Sequence, residues 1–209
     1  MQPTIDSQNR LVLYTQKTFR NILDSMARPG KILHLERFPL SDEAVPDHQA
    51  CLTGLGFTLF DVEVSFYINN PASFGNLSSD LIFHTHSRLE PLEEANFIFL
   101  TAADEPELLS RVKRGNLEYP DCGSTVIVSI DYLSVEQSAP GPGGLELHLK
   151  GPGILDETVL YTGGITPDHL RVLAEVNAEY PLGIDLILVS GTQFTCLPRL
   201  VTIDARRKG

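Results

Sequence analysis

Tryptophan is absent from this chain, cysteine occurs three times, and positive charge is scarce: 16 Lys and Arg stand against 27 Asp and Glu, a formal charge of −11. A nucleic-acid-binding face needs a basic footprint that displaces counterions from phosphates, so the charge excludes nucleic acid as a partner. The same acidity argues against docking on an anionic membrane. An anionic ligand would have to be held by a local cluster of cations and backbone amides. No segment approaches the ~20 consecutive apolar residues of a membrane span, and the start Met1-Gln2-Pro3-Thr4-Ile5-Asp6 lacks the basic and apolar parts of a signal peptide. Cys51, Cys122 and Cys196 are widely separated, odd in number and in no CxxC or finger-like spacing. Reduced, buried thiols in a cytoplasmic protein follow. The 209 residues are 42% hydrophobic and 21% charged, an ordinary globular composition. That is enough chain to bury a core without metal or disulfide staples, and it reads as one domain over 1–209.

Phe19, Ile22, Leu23 and Met26 fall at i, i+3, i+4 and i+7 and predict the inner face of a helix. Thr15 or Thr18 would cap it, and Arg28-Pro29-Gly30 would stop it. A strand is expected over Lys31–Glu36 and a helix from Asp47 to about Phe60, where Gly54 and Gly56 predict close packing against a neighbour. Val64–Ile68, Leu81–Phe83 and Phe97–Leu100 are apolar runs of strand length. A short helix is expected from an Asp104 cap to Lys113, with Pro106 in its first turn. Thr125–Ile130 is apolar on both faces, as in a central strand, whereas Leu145–Lys150 alternates strictly and should be half-buried. Thr166-Pro167-Asp168 opens a helix with Leu170, Leu173, Ala174 and Asn177 on its inner face; strands Ile184–Val189 and Phe194–Leu197 follow. Helices alternating with such strands predict an α/β domain, a mixed β-sheet flanked by helices.

The glycine-rich segments Gly141-Pro142-Gly143-Gly144, Gly151-Pro152-Gly153 and Gly163-Gly164 match neither GxxxxGK[ST] nor GxGxxG. The first two read as turns flanking the alternating strand, with phosphate cradling as the alternative. His84-Thr85-His86 would set two imidazoles on one face of a strand, compatible with chelation if His148 or Asp80 joined them. The alternative is a strand end with ordinary hydrogen bonds, and no metal is expected. No GxSxG, HExxH or Cys–His arrangement is present. Of the five lysines, Lys150 is the least poor Schiff-base candidate, so pyridoxal phosphate is not expected. Asp185 opens an otherwise apolar strand and needs a cation or amides; Arg199, following the next strand, can supply one. The pair is either structural or an anion site.

Taken in order, Thr18-Phe19-Arg20, Met26, Pro29-Gly30, Phe83-His84-Thr85, Gly123-Ser124-Thr125, Gly151-Pro152-Gly153-Ile154, Tyr180-Pro181-Leu182-Gly183-Ile184-Asp185-Leu186 and Leu197-Pro198-Arg199 resemble the PhnH family, the H subunit of the bacterial carbon–phosphorus lyase system. The landmarks span about residues 15–200. The resemblance implies a fold like the large domain of pyridoxal-phosphate-dependent transferases, without cofactor. It implies a homodimer that joins the G, I and J subunits and is not active alone. It implies work at the step that joins an alkylphosphonate to C1 of the ribose of ATP with loss of adenine, giving an alkylphosphonate ribose triphosphate. Carbon–phosphorus cleavage would belong to another subunit, since no CxxxCxxC set is present here. Arg20, Pro29, Gly30, His84, Thr85, Gly151, Asp185 and Arg199 match the pattern, while Leu200-Val201 replace the family's threonines. With Arg28 and Gly153 added to Arg20, His84, Thr85, Gly151, Asp185 and Arg199, these are the candidate contacts to an ATP or phosphonate ligand. The alternatives are a free-standing binder or enzyme of phosphate ligands on the same scaffold, or a pure assembly scaffold.

Overall fold

A run such as Phe97-Ile98-Phe99-Leu100, apolar at every position, is stable as a strand only when both of its faces are covered. The computed structural model, which describes residues 5–136 and 144–207, supplies that cover in three layers. The middle layer is a seven-stranded mixed sheet of β1 (Leu33–His34), β2 (Ser65–Ile68), β3 (Arg88–Leu89), β4 (Phe97–Thr101), β5 (Thr125–Ser129), β9 (Asp185–Ser190) and β10 (Gln193–Leu197). Its order is β1-β10-β9-β5-β4-β2-β3. Strands β9, β5, β4, β2 and β3 run parallel, and β10 and β1 close one edge antiparallel.

One face of this sheet presents Phe66, Ile68, Phe99, Ile127, Ile187 and Val189 to helices α1 (Ile5–Ala27), α2 (Asp47–Leu59) and α3 (Leu77–Thr85). The other presents Ile98, Leu100, Val126, Val128, Leu186 and Leu188 to a second, antiparallel sheet and to helix α4 (Pro167–Val176). The second sheet contains β6 (Tyr132–Ser134), β7 (Leu145–Lys150), β8 (Thr158–Gly163) and β11 (Thr202–Arg207), ordered β11-β7-β8-β6. The expected flanking by helices therefore holds in full for one face, while the other shares its cover between α4 and the second sheet. Leu145–Lys150 alternates because it belongs to this separate one-sided sheet, not to the mixed one; its three leucines face the core. Of the Ala139–Gly144 tract, residues 139–143 lie outside the described residues.

Several expectations need correction. Leu81–Phe83 is not a strand: Leu77, Leu81 and Thr85, at i, i+4 and i+8, form the buried stripe of α3. Three apolar residues in a row do not distinguish the two periods. Helix α1 starts ten or more residues before the expected caps, and its buried stripe is Tyr14, Thr18, Ile22 and Ser25, leaving Phe19 46% and Leu23 52% exposed. A serine is tolerated inside because Ser25 Oγ accepts from Cys196 N at 2.8 Å. The expected helix after Asp104 is a short 3-10 segment, Pro106–Arg111. On α4, Val172 and Val176 join Leu170 and Leu173 inside, whereas Ala174 is exposed. Cys51 and Cys196 are buried, which pushes their thiols up to about 11 and about 12, but Cys122 is exposed.

Gly54 and Gly56 do mark close packing. A β-carbon on Gly56 would overlap Leu81, and one on Gly54 would overlap the hydroxyl of Tyr14, which donates to the Glu36 carbonyl at 3.0 Å. Gly54→Ala is expected to lower stability by about 1–3 kcal/mol through this overpacking, read as a lower urea midpoint.

His148 is buried, not on a solvated face: Nδ1 lies 2.8 Å from Glu157 Oε2 and Nε2 lies 2.8 Å from Glu146 Oε1. Carboxylates only accept, so these two contacts favour the ring with a proton on each nitrogen. The bond to Glu157 raises its pKa against the opposing effect of burial; Glu146 adds to the rise, and Arg206 on β11 opposes it. A raised folded pKa gives stability that is complete below the unfolded value of about 6.5 and is lost as pH climbs through the folded value. His148→Gln is expected to remove that alkaline decline in urea unfolding followed across pH.

Candidate functional site

Parallel sheets collect ligand-facing groups where their strands end, most of all where strand order reverses. Here α3 connects β2 to β3 across one face of the mixed sheet, while the segments leading from β4 to β5 and β5 to β9 cross the other. The order thus reverses beside β2. At that carboxyl edge the chain places polar residues: Asn69 just past β2, Thr101 ending β4, Ser129 ending β5 and Ser190 ending β9. Thr101 and Ser129 are register partners.

The first turn of α2 brings His48 over Ser129, with Nε2 2.9 Å from Ser129 Oγ, while Nδ1 lies 3.0 Å from the Gly191 carbonyl. A carbonyl only accepts, so Nδ1 bears a hydrogen, and in the Nδ1–H tautomer that this selects Nε2 is the acceptor. The Ser129 hydroxyl donates to it. Beside this pair, Asp104 Oδ2 accepts from Thr101 N at 2.6 Å and from Thr101 Oγ1 at 3.1 Å, and Oδ1 accepts from Asn69 Nδ2 at 2.7 Å. Tyr67 donates to Asn69 Oδ1 at 3.1 Å. His169 donates from Nε2 to the Asp104 carbonyl at 3.1 Å, and its Nδ1 accepts from Thr166 N in the capping box of α4. Ser190 donates to the Asp131 carbonyl at 3.2 Å. A hydroxyl held against a neutral imidazole, with the tautomer fixed from behind, can be polarised and can pass on a proton.

The candidates named from the sequence lie elsewhere. Asp185 begins β9 at the opposite, amino edge and meets Arg199: Oδ1 accepts from Arg199 N at 2.8 Å and Nε at 3.3 Å, and Oδ2 from Nη2 at 2.7 Å. Nη1 donates to the Pro120 carbonyl at 2.8 Å, so all three guanidinium nitrogens are engaged. The two side chains are 15% and 22% exposed. Gly151 packs on the Leu200 carbonyl and Gly153, at φ 86°, on the Ala27 carbonyl, so this segment fastens the end of α1. Arg28 is paired with Asp24, which Lys31 also contacts at 2.6 Å. Arg20 is exposed on α1 and has no ion-pair partner among the described residues.

His84 and His86 sit at the end of helix α3, not on a strand. The His84 ring lies edge-on to Phe38, Phe57 and Phe83, and burial lowers its pKa against the pull of Asp80. Thr85 donates to the Leu81 carbonyl and accepts from Ser87 Oγ. His148 is held in the other sheet, and among the described residues no group of three or more His, Cys, Asp or Glu could hold a metal. Lys150 lies 3.3 Å from Glu157. His48 and Ser129 are 81 residues apart, so no local spacing announces them. The only signals are a histidine in a polar helix start and a serine near the end of an otherwise apolar run.

Removing one member of a largely buried ion pair strands the other. Arg199→Ala is expected to cost about 3 kcal/mol on that ground. Chemical denaturation of Arg199→Ala beside Arg20→Ala, which should be neutral, checks it.

The family described as bacterial phosphonate metabolism protein (PhnH) matches residues 8–204. A relative from Stutzerimonas stutzeri, named as a putative C-P lyase subunit protein HtxG, is 34% identical over 192 residues, covering 91% of this chain and 86% of its own length. Another, from Rhizobium meliloti (strain 1021), is named alpha-D-ribose 1-methylphosphonate 5-triphosphate synthase subunit PhnH. It is 26% identical over 194 residues, 92% of each chain.

Proposed function

The chain belongs to the PhnH family of bacterial phosphonate metabolism proteins, and from that membership we propose that it is a subunit of a carbon–phosphorus lyase complex. Its place is the step that joins an alkylphosphonate to the ribose C1 of ATP, releasing adenine and forming an alkylphosphonate ribose triphosphate. The observation that carries this reading is the match over nearly the whole chain to two relatives named as subunits of such systems. No residue is assigned a covalent role, and neither pyridoxal phosphate nor a metal enters the reading.

A subunit must offer surface to its partners. Helix α1 leaves Val12, Phe19 and Leu23 exposed along one side, and α3 leaves Phe83 76% exposed. Apolar side chains of this size, in rows on a helix, suit burial in an assembly. The partners proposed are a second copy of the chain and the G, I and J subunits. None of the described helices is long and apolar enough to cross a membrane.

Co-expression with the G, I and J subunits followed by size-exclusion chromatography tests the reading. Co-elution in a fixed ratio is expected. Elution of this chain by itself, with the other three assembled and folded, would overturn it.

A further inference from the structure

We infer that the carboxyl edge around Ser129 is a subsite for the hydroxyl groups of a sugar, not for its phosphates. The Gly191 carbonyl fixes the hydrogen of His48 on Nδ1, so Ser129 gives its only hydrogen to Nε2. Its Oγ keeps two lone pairs and no donor. The hydroxyl of Thr101, its register partner, is likewise spent on Asp104. Asn69 spends an amide hydrogen on Asp104, and Ser190 spends its own on the Asp131 carbonyl. Asp131 is exposed two residues past the end of β5, and its carboxylate approaches Gly164, just past β8.

The edge therefore presents lone pairs from Ser129 and Thr101, with one amide hydrogen of Asn69 beside them. Among the described residues no lysine or arginine donates to the Ser129 or Thr101 hydroxyl. A phosphate brought here would face acceptors without a cation and be repelled. A ligand hydroxyl supplies what is missing: a hydrogen for Ser129 Oγ, whose own hydrogen already polarises toward His48. Neighbouring hydroxyls, as on a ribose, match neighbouring acceptors. The cations Lys31, Arg28 and Arg199 gather instead toward the opposite edge and are bound to Asp24 and Asp185.

This deepens the proposed reading and rests on it only in taking a nucleoside triphosphate as the carrier of the hydroxyls. The test uses the co-purified complex and calorimetric titration with ATP and with 2′,3′-dideoxy-ATP. Ser129→Ala is expected to weaken ATP about 3- to 10-fold, the size of one neutral hydrogen bond. It should leave dideoxy-ATP unchanged, so that protein and ligand deletions do not add. Loss of affinity for both nucleotides alike, or for neither, overturns the subsite. His48→Phe, which keeps a ring but removes the acceptor at Nε2, should repeat the selectivity and serves if Ser129→Ala lowers the melting temperature. Should the complex fail to form, the intact chain alone is titrated with D-ribose while the His48 ring resonances are followed. A shift abolished by Ser129→Ala supports the subsite independently of the partners; no shift overturns it.

Discussion

Strands β4, β5 and β9 are buried on both faces, and nearly every other feature answers that constraint. Alternate residues along each strand point to opposite cores: Phe99 and Ile127 toward α1, α2 and α3, Ile98 and Val126 toward the second sheet and α4. Removing either cover would expose a continuous apolar sheet face, a cost of roughly 25 cal/mol per Å². The helices are built for this burden unevenly. Gly54 and Gly56 let α2 sit tightly against Tyr14 and Leu81, whereas α1 touches the core along one narrow stripe.

The two edges of the parallel strands have different chemistry. At the amino edge, charge and backbone freedom are used for closure. Arg199 and Asp185 join the end of β10 to the start of β9, Asn177 clasps Ile184 through both amide atoms, and Gly151 to Gly153 fits against Leu200 and Ala27. At the carboxyl edge the polar groups are uncharged or acceptors, half-exposed, and linked in short chains such as Gly191–His48–Ser129 and Thr101–Asp104–Asn69–Tyr67. Groups held this way keep one geometry without being consumed by the fold, the condition a binding surface needs. The apolar rows on α1 and α3 form a third region, distinct from both edges.

In the sequence, the signs of the fold were strong wherever one period dominated. The apolar run at Phe97–Leu100 marked a strand and that at Thr125–Ile130 a central one, strict alternation at Leu145–Lys150 marked a half-buried one, and Thr166-Pro167 marked the start of α4. The signs failed where burial included polar residues or where runs were short. Tyr14, Thr18 and Ser25 face the core because main-chain and side-chain partners wait for them there, so α1 turns a different face inward than its leucines suggest. Leu81–Phe83 carries no period at all and took that of the helix around it.

What the sequence by itself determined is the α/β class, the acidic balance, the lack of an apolar run long enough for a membrane-spanning helix, and membership of a family, since composition, periodicity and ordered landmarks all reside in the chain as written. The pairing of Asp185 with Arg199 was already open to view as a possibility, because a carboxylate on an apolar strand demands a partner. The tertiary structure alone decided that the two meet, that Leu145–Lys150 joins a second sheet, and that His48 stands over Ser129. The physical reason is range. Local patterns fix what each segment buries, but hydrogen bonds between segments many tens of residues apart depend on strand order and register, and a one-residue slip in register would turn Ser129 to the other face.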